Sequence, residues 1–492
     1  MSHESFAATL ALIGIVILVS SLLSGAVERT GLPQVAIFLL LGASLGPAGL
    51  GVVDLTLHSP ALQVIATLGL VLVLFSDAIG IDLGEVRRQR RLALLILGPG
   101  TLIPAGLMAL AAWLLLGLPL PAAAILGAAL ASTAPVLLRT LVRHPNLPPP
   151  AKIALRLESG MNDVILLPIV VLSMLALRAS GPAPAWEVGS HAVGLFLLGP
   201  MLGVFAGYIA ITLLDQVRKR VGVRRDYESL YALGVAFTAF AGAEAVGGSG
   251  FLAAFAAGLT IASLDVELCD CFLDYGEASA EMFLLLTFVA FGAGLIWSGL
   301  TVADWRTVLF AFVALALRTA VLLPVLARAG IDPRSRRLIA WFGPRGLSSL
   351  LLVLLPVFGG IPGSDRLFEI TCLVVLLSVL LHGGGIALFL RRGGTAVVPA
   401  GSSERPPAPV GSSVAKPEAP GEPVPERITV AELRELWAKG VPVIVADVRT
   451  ERSYRDDHLQ AVGAIRLPPD DAVRLAREQR LSQHATLVLY CA

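Results

Sequence analysis

The chain has 492 residues, of which 56% are hydrophobic and only 15% are charged, and its mean hydropathy is +0.80. This composition excludes an ordinary soluble protein of the same length and indicates a polytopic membrane protein in a lipid bilayer. The formal net charge of +1 gives no sign of an acidic partner, so no nucleic acid is expected. Four cysteines do not form a disulfide framework, and the Cys269/Cys271 pair lacks the second pair of a zinc site, so no cofactor is expected.

Apolar segments bounded by glycine, proline or charge predict an all-α protein of about thirteen transmembrane helices. The first segment lacks a basic n-region and a clear small-residue cleavage site, so we expect a retained helix and not a signal peptide. The segments are 6–26, 33–50, 60–80, 92–116, 121–142, 152–177, 188–214, 228–246, 249–264, 280–297, 304–328, 336–357 and 367–390.

Basic residues in the connecting loops predict the orientation, because Lys and Arg favour the cytoplasmic side. With an external N-terminus they fall in alternate loops, whereas the opposite loops hold only Arg178 and Arg366. One inside loop, 265–276, is acidic, but acidic residues contribute little to this bias. An odd number of spans then leaves the C-terminus in the cytoplasm. The inside loops carry Arg87, Arg88, Arg90, Arg91, Arg143, Lys152, Arg218, Lys219, Arg220, Arg224, Arg225, Arg334, Arg336 and Arg337.

Two predicted spans are interrupted. Segment 121–142 contains Ser132-Thr133-Ala134-Pro135, and segment 336–357 contains Gly343-Pro344-Arg345-Gly346. Proline removes a helical hydrogen bond and frees carbonyls, and paired interruptions in two halves indicate inverted repeats with a binding site at the midplane. If the repeats are spans one to six and eight to thirteen, both interruptions fall in the fifth span. Two independent proline kinks are the alternative interpretation.

The span 152–177 carries Glu158, Asn162 and Asp163 inside an apolar run. At about 1.5 Å per residue Asp163 lies roughly 17 Å beyond the start of the span, near the middle of a hydrocarbon core about 30 Å thick. Asn162 and Asp163 share a helix face with Ser159 because they follow it by three and four residues. Ionisable groups at this depth face a partner or a water-filled cavity. The pattern predicts an ion site.

These residues carry a family resemblance. The run Glu158-Ser159-Gly160-Met161-Asn162-Asp163 resembles the ESGxND signature of the monovalent cation/proton antiporters, in the branch of the sodium/proton exchangers. Three further stretches agree with it, and the resemblance covers about residues 6–392, which we assign to a transmembrane exchanger domain, 1–392. The stretches are Leu74-Phe75-Ser76-Asp77 before Ile81-Asp82-Leu83, Gly250-Phe251-Leu252-Ala253-Ala254-Phe255 through Gly258-Leu259, and Trp341-Phe342-Gly343-Pro344-Arg345-Gly346.

The resemblance implies a dimerisation part and a core part with two crossed, broken helices, in a homodimer of the plasma (inner) membrane. It also implies roles for individual residues. Asp163 is the exchange carboxylate, Asn162 its neutral neighbour, Ser159 a supporting oxygen ligand, Thr133 a ligand from the unwound segment, and Asp77 an acidic residue on the third span.

Two further features follow from the same resemblance. Glu158 and Arg345 resemble a structural ion pair that ties the Asp163 helix to the broken twelfth span. Relatives usually have Thr-Asp-Pro in the broken fifth span, whereas Ala134 stands in the middle position here. One carboxylate ligand is therefore missing, which bears on ion selectivity and affinity.

The chemistry of a buried carboxylate supports the same interpretation. Such a group can hold a proton or a small hard cation, but not both, and competition for one group amounts to exchange. Oxygen ligands suit Na⁺, with K⁺ as the other candidate, and not a transition metal. We therefore expect a secondary active antiporter and not an enzyme. A channel on the same fold is not separated from it by sequence.

Other polar residues inside the predicted spans allow alternatives. Arg318 is either a balancing charge near the site or a side chain that snorkels to an interface. Glu244 is expected at the outer surface, and His382 is expected to serve helix packing more than proton relay. The small-residue runs Ala122–Ala131 and Ala253–Gly258 predict close helix contacts.

The composition changes beyond Arg392. Residues 393–427 are rich in Pro, Ala, Gly, Ser and Glu and predict a disordered linker. Residues 428–492 resemble an incomplete α/β rhodanese-like domain, with predicted strands at Val443–Ala446 and Thr486–Tyr490. Cys491 stands in the persulfide position.

The amide-lined loop that would activate Cys491 does not follow it. We therefore expect a fragment of a longer protein, or a vestigial domain, without thiosulfate sulfurtransferase activity. A membrane-anchored sulfurtransferase or sulfur sensor is the alternative function.

Overall fold

The computed structural model describes residues 34–386 with gaps, the isolated residues Gly14, Leu18 and Phe389, and parts of 433–490. The chain divides into two compact units, Met1–Gly401 and Ser402–Ala492. Several predictions concern residues outside this description: most of segment 6–26, the acidic loop 265–276, the linker 393–427, Cys269, Cys271 and Cys491. The gaps in 34–386 are 52, 54, 82, 135–137, 139–140, 143–146, 179–192, 222–224, 265–281 and 284.

The described part of the first unit consists of helices joined by turns and short non-helical segments. Residues 285–292 are also helical and lead into a short 3₁₀ helix, Leu295–Leu300. The helices are α1 Gln34–Leu45, α2 Pro60–Ile79, α3 Leu83–Arg88, α4 Arg90–Leu97, α5 Pro99–Leu116, α6 Leu120–Ala131, α7 Pro149–Arg178, α8 Gly199–Arg220, α9 Arg225–Ala245, α10 Gly250–Leu264, α11 Trp305–Arg328, α12 Pro333–Trp341, α13 Leu347–Phe358 and α14 Ser364–Ser378.

Among the described residues, six helices are long and apolar enough to cross a membrane, and five more are apolar but shorter. Every predicted segment from 33–50 onward contains a described helix. A polytopic helical architecture is therefore confirmed, and the number of thirteen spans stays a prediction. The six are Pro60–Ile79, Arg90–Leu116, Pro149–Arg178, Gly194–Arg220, Trp305–Arg328 and Ser364–Ile386.

Capping side chains set where several helices begin. Ser59 accepts a hydrogen bond from the Leu62 amide at the start of α2, where Pro60 occupies the first helical position. Asp304 caps α11 and Asp332 caps α12 in the same way. Hydrogen bonds from Thr307 and Ser335 hold the pKa of these two carboxyls below its usual value.

Small residues allow close contact where helices cross. A Cβ on Gly203 of α8 would overlap the backbone of Ala253 on α10, and one on Gly127 of α6 would overlap the backbone of Ala105 on α5. The predicted close contacts of the runs Ala122–Ala131 and Ala253–Gly258 are thus confirmed. In a membrane, where apolar side chains gain little by leaving lipid, such close packing is a main source of helix association.

Two helices are broken where the sequence predicts interruptions. α6 ends at Ala131 and residues 132–134 are not helical, while residues 342–346 separate α12 from α13. The two non-helical segments meet, because the Ala134 amide donates a hydrogen bond of 2.9 Å to the Pro344 carbonyl. Two independent proline kinks would not place these segments in contact.

The second unit contains a parallel sheet with strands β1 Val443–Asp447, β2 Ile465–Arg466 and β3 Thr486–Tyr490, in the order β2-β1-β3. Val443 is in register with Thr486 and Asp447 with Tyr490. A helix, α15 Ala472–Glu478, precedes β3. Both predicted strands are therefore present, and the rhodanese-like identity of the unit stays a prediction.

Candidate functional site

Helix α7 places Asn162 and Asp163 halfway along its length, fully inside the protein. Their exposed fractions are 0% and 1%. Polar groups at this depth are costly unless they have partners, so the surroundings of these two side chains define the site.

The first break supplies partners to both side chains. The Ser132 hydroxyl donates to Asp163 Oδ1 at 2.5 Å, and Asn162 Nδ2 donates to the Thr133 hydroxyl oxygen at 2.8 Å. Ser132 and Thr133 are fully buried and lie in the non-helical segment. The break thus turns its polar side chains towards the middle of α7.

Two oxygens remain without donors. Asp163 Oδ2 and Asn162 Oδ1 are buried and have no hydrogen-bond partner among the described residues. The Ser348 hydroxyl, in the first turn of α13, also lies beside the Asp163 carboxylate. Unsatisfied buried acceptors are rare in proteins because each costs about 1 to 3 kcal/mol. Oxygens from neighbouring residues without donors are suited to a proton or a hard monovalent cation.

Arg345 joins the second break to the first. Its guanidinium is 1% exposed, and Nη1 donates to the carbonyls of Ala131 and Ser132 at 2.8 and 2.9 Å. These carbonyls are released where α6 ends, and the Ser132 carbonyl has one further donor, the Ser349 hydroxyl at 3.5 Å. The Arg345 amide also donates to the Ser378 hydroxyl at 2.7 Å.

The predicted ion pair between Glu158 and Arg345 is wrong as a direct contact. Glu158 instead receives two hydrogen bonds from Arg318 of α11, Nε to Oε1 at 2.8 Å and Nη2 to Oε2 at 2.6 Å. Arg345 Nη1 instead donates to the carbonyls of Ala131 and Ser132. Of the two interpretations of Arg318, the structure supports the balancing charge, since the side chain is only 3% exposed.

Arg318 also binds the end of the helix before the second break. Its Nη1 donates to the carbonyls of Ile339 and Ala340 at 3.1 and 2.8 Å. Gly343 leaves room for the guanidinium, because a Cβ at that position would overlap it. Each break therefore has an arginine that satisfies its free carbonyls, and Glu158 holds one of the two arginines.

The sequence also predicts Ser159 and Asp77 for the site. The Ser159 hydroxyl, predicted as a ligand, donates to the Arg156 carbonyl of its own helix at 3.4 Å. Asp77 is partly buried near the end of α2, a helix that packs on α7, and its role stays a prediction.

His382 lies behind the second break. Its Nδ1 is 3.0 Å from the Ser378 hydroxyl, and its ring lies 5.8 Å from that of Trp341. The ring contact supports the expected packing role. Glu244 is exposed, as expected, and accepts a hydrogen bond from the Gly250 amide at 2.8 Å.

Sequence reasoning missed Ser132 and Ser348 as site residues. Each stands in or just after an interruption that the sequence marks with proline and glycine. A search for hydroxyl side chains within two residues of the two breaks would have found both of them.

Comparison with known proteins places these features in a family context. The sequence model of the sodium/hydrogen exchanger family, transmembrane part, matches residues 15–392. The chain is 24% identical over 389 residues to the K(+)/H(+) antiporter NhaP of Alkalimonas amylolytica, covering 78% of this chain and 66% of that protein. It is 26% identical over 347 residues to the Na(+)/H(+) antiporter NhaG of Bacillus atrophaeus, covering 67% of this chain and 63% of that one.

The fold is also similar to a solved structure, that of the sodium proton antiporter MjNhaP1 from Methanocaldococcus jannaschii at pH 8. The TM-score is 0.62 at 21% sequence identity, and the match covers 78% of this chain and 99% of the solved chain. At this identity the likeness concerns the fold. This chain spans slightly less than two thirds of the length of the curated relatives named above.

Proposed function

Because the chain belongs to the sodium/hydrogen exchanger family, we propose that it is a secondary active antiporter that exchanges a monovalent alkali cation for protons, and not an enzyme. The observation that carries the proposal is the buried carboxylate of Asp163, with Oδ2 and the neighbouring Asn162 Oδ1 both without donors at the meeting point of two broken helices. A channel would need no titratable group at this place.

The proposed mechanism is competition at one carboxylate. A cation bound to Asp163 needs the ionised form, and a proton on the same group removes the charge that holds the cation. Ser132 and Thr133 orient the acceptors from the first break, and Ser348 approaches from the second. If the site changes its accessibility only when Asp163 is neutralised by one of the two ions, a gradient of one drives the other.

We propose Na⁺ as the cation, with K⁺ as the second candidate. Relatives named for each ion occur among the similar proteins. Ala134 offers no carboxylate where relatives usually carry one, so the cation at this site meets a single full negative charge, from Asp163. Asp77 is proposed as an accessory acid and Ser159 as a more distant oxygen.

The test is the proton response of the purified chain in proteoliposomes to Li⁺, Na⁺ and K⁺, across pH. Exchange predicts proton movement that depends on the added cation and stays stoichiometric when the membrane potential is clamped. Proton movement without any cation dependence would overturn the proposal. Cation flux that simply follows the clamped potential would show a channel instead.

We expect the exchange to be electroneutral, one cation for one proton. Asn162 is neutral where electrogenic relatives of the superfamily carry a second aspartate. The single carboxylate of Asp163 therefore binds either one cation or one proton. The measurement is the current across a membrane containing the reconstituted protein. A transport current that reverses with the imposed potential would count against one-for-one exchange and would direct attention to Asp77 as a second titrating acid.

We expect a multi-pass protein of the plasma (inner) membrane, working as a homodimer, with the C-terminal unit in the cytoplasm. The Lys and Arg bias of alternate loops supports the cytoplasmic placement of the C-terminal unit, and the family resemblance is the ground for the homodimer. A reporter fused after Arg392 that is active only inside the cell is the expected result, and a reporter active only outside would overturn this topology.

The C-terminal unit is proposed to be a rhodanese-like appendage with Cys491 in the persulfide position. Its three parallel strands support an α/β unit. The membrane-anchored sulfurtransferase is the weaker alternative, because an anchor does not require a family match from 15 to 392 or a buried carboxylate.

A further inference from the structure

A groove lies between α11 and α12, away from the buried carboxylate. Its volume of about 480 Å³ falls within the range of small-molecule pockets. Leu323 and Thr319 of α11 form one wall, and Phe342, the first residue of the second break, also lines the groove. The other wall comes from α12 and has a distinct order of side chains.

The α12 wall is graded from charged to apolar. The wall begins with Arg334. Three, four and seven residues further along the helix come Arg337, Leu338 and Trp341, so all four side chains share one helix face. The two arginines come first along the helix and are exposed. Trp341, at the far end, is 43% exposed.

Neither arginine pairs with a carboxylate among the described residues. Arg337 Nε donates to the Pro333 carbonyl of its own helix at 3.3 Å. Asp332, the acid nearest to them along the chain, instead accepts hydrogen bonds from the amides of Arg334 and Ser335 and caps the helix. The mouth of the groove therefore carries positive charge that the described part of the protein does not neutralise.

The position along α11 sets the depth of the groove. α11 is one of the helices long enough to cross a membrane, and it ends at Arg328. Leu323 is five residues, roughly 7.5 Å, from that end, so the apolar wall lies within the hydrocarbon region close to its border. Tryptophan and arginine are both favoured at that border, where headgroups meet acyl chains.

We propose that this groove binds an anionic phospholipid, with the phosphate on Arg334 and Arg337 and the acyl chain along Leu338, Trp341 and Leu323. Guanidinium groups bind phosphate through paired, charge-assisted hydrogen bonds. A zwitterionic lipid would supply the same chain without net negative charge, so charge complementarity selects the anionic headgroup. The apolar wall thus matches the acyl chain of the lipid, and the two arginines match its phosphate.

The bound lipid would act on the second break. The Thr319 hydroxyl donates to the Ala340 carbonyl at 2.9 Å, and the same carbonyl accepts from Arg318. Trp341 and Phe342 directly follow Ala340 and line the groove. A lipid that fills the groove therefore stabilises the last turn of α12, where the helix gives way to the break.

The test is binding to the purified full-length chain in detergent, by native mass spectrometry and by thermal unfolding, with phosphatidylglycerol and phosphatidylcholine as probes. The parent protein should bind phosphatidylglycerol more tightly than phosphatidylcholine. Its unfolding temperature should be higher with phosphatidylglycerol than with phosphatidylcholine. The double variant Arg334→Gln/Arg337→Gln should lose about tenfold or more in affinity for phosphatidylglycerol and little for phosphatidylcholine. Both side chains are exposed, so the variant should fold.

The matched control is Lys219→Gln/Arg220→Gln, which removes two exposed charges from the last turn of α8. It should bind both lipids like the parent. If both double variants lost the same affinity for phosphatidylglycerol, the effect would come from general charge, and the proposed site would be overturned. Glycerol phosphate that binds as tightly as phosphatidylglycerol would also overturn it, since the apolar wall would then contribute nothing. These readouts do not use transport, so their failure leaves the antiporter proposal standing.

Discussion

The Asp163→Asn variant should show no cation-dependent proton movement in proteoliposomes at any pH, while it inserts and elutes on size exclusion like the parent protein. An amide can neither hold a titratable proton nor offer a full negative charge to a cation. The Ser132 hydroxyl can still donate to the amide oxygen, so the contact to the first break survives. The loss should therefore be specific to exchange.

Stability should not fall in this variant. Asp163 is 1% exposed and one of its oxygens has no donor, so ionised Asp163 carries a desolvation cost that the neutral amide lowers. We expect a melting temperature equal to or above that of the parent.

The matched control is Asp215→Asn, the same chemical change in the last two turns of α8, beside Arg218. It should exchange at the parent rate. If Asp163→Asn still exchanges near the parent rate, Asp163 is not the carrier, and Asp77 is the residue to test next.

Glu158→Gln should strongly lower the amount of folded protein. Glu158 is the carboxylate that holds Arg318, through two short hydrogen bonds, and both side chains are almost fully buried. Removing one member of a buried ion pair leaves an uncompensated charge and costs roughly 3 to 5 kcal/mol.

The measurement is the thermal unfolding and the monodisperse yield of the purified variant in detergent. Glu244→Gln is the control, because Glu244 is exposed and caps α10 through a carboxyl oxygen that an amide can replace. That variant should lose about 1 kcal/mol or less. Parent-like stability of Glu158→Gln would mean that the pair contributes little, and that the carbonyls of Ile339 and Ala340 suffice to hold Arg318.

The two arginines explain how breaks can persist inside a membrane. An interrupted helix frees carbonyls that lipid cannot satisfy. Arg345 donates to those at the end of α6, and Arg318 to those near the end of α12. The charge that this introduces is balanced in part by Glu158. The proposed ion site is thus bordered by side chains that donate hydrogen bonds to free backbone carbonyls.

Local properties of the chain were enough to predict much of this architecture. Apolar length predicts the helices, because a span must hide every backbone polar group within itself. Proline and glycine predict the breaks at 132–135 and 343–346, because they cannot continue a helix without loss. The placement of Asn162 and Asp163 on the helix face of Ser159, which lies three and four residues before them, follows from the period of α7.

Which residues meet across helices was decided by the tertiary structure alone. From the sequence, the family resemblance pairs Glu158 with Arg345, while Arg318 is either a balancing charge near the site or a side chain that snorkels to an interface. In the structure Glu158 pairs with Arg318. Arg345 lies in the second break itself and donates to the carbonyls of Ala131 and Ser132 instead. Ser132 and Ser348 lie beside Asp163 for the same reason. Which side chains meet depends on how the two broken helices cross in space, and the spacing of residues along the chain does not determine that crossing.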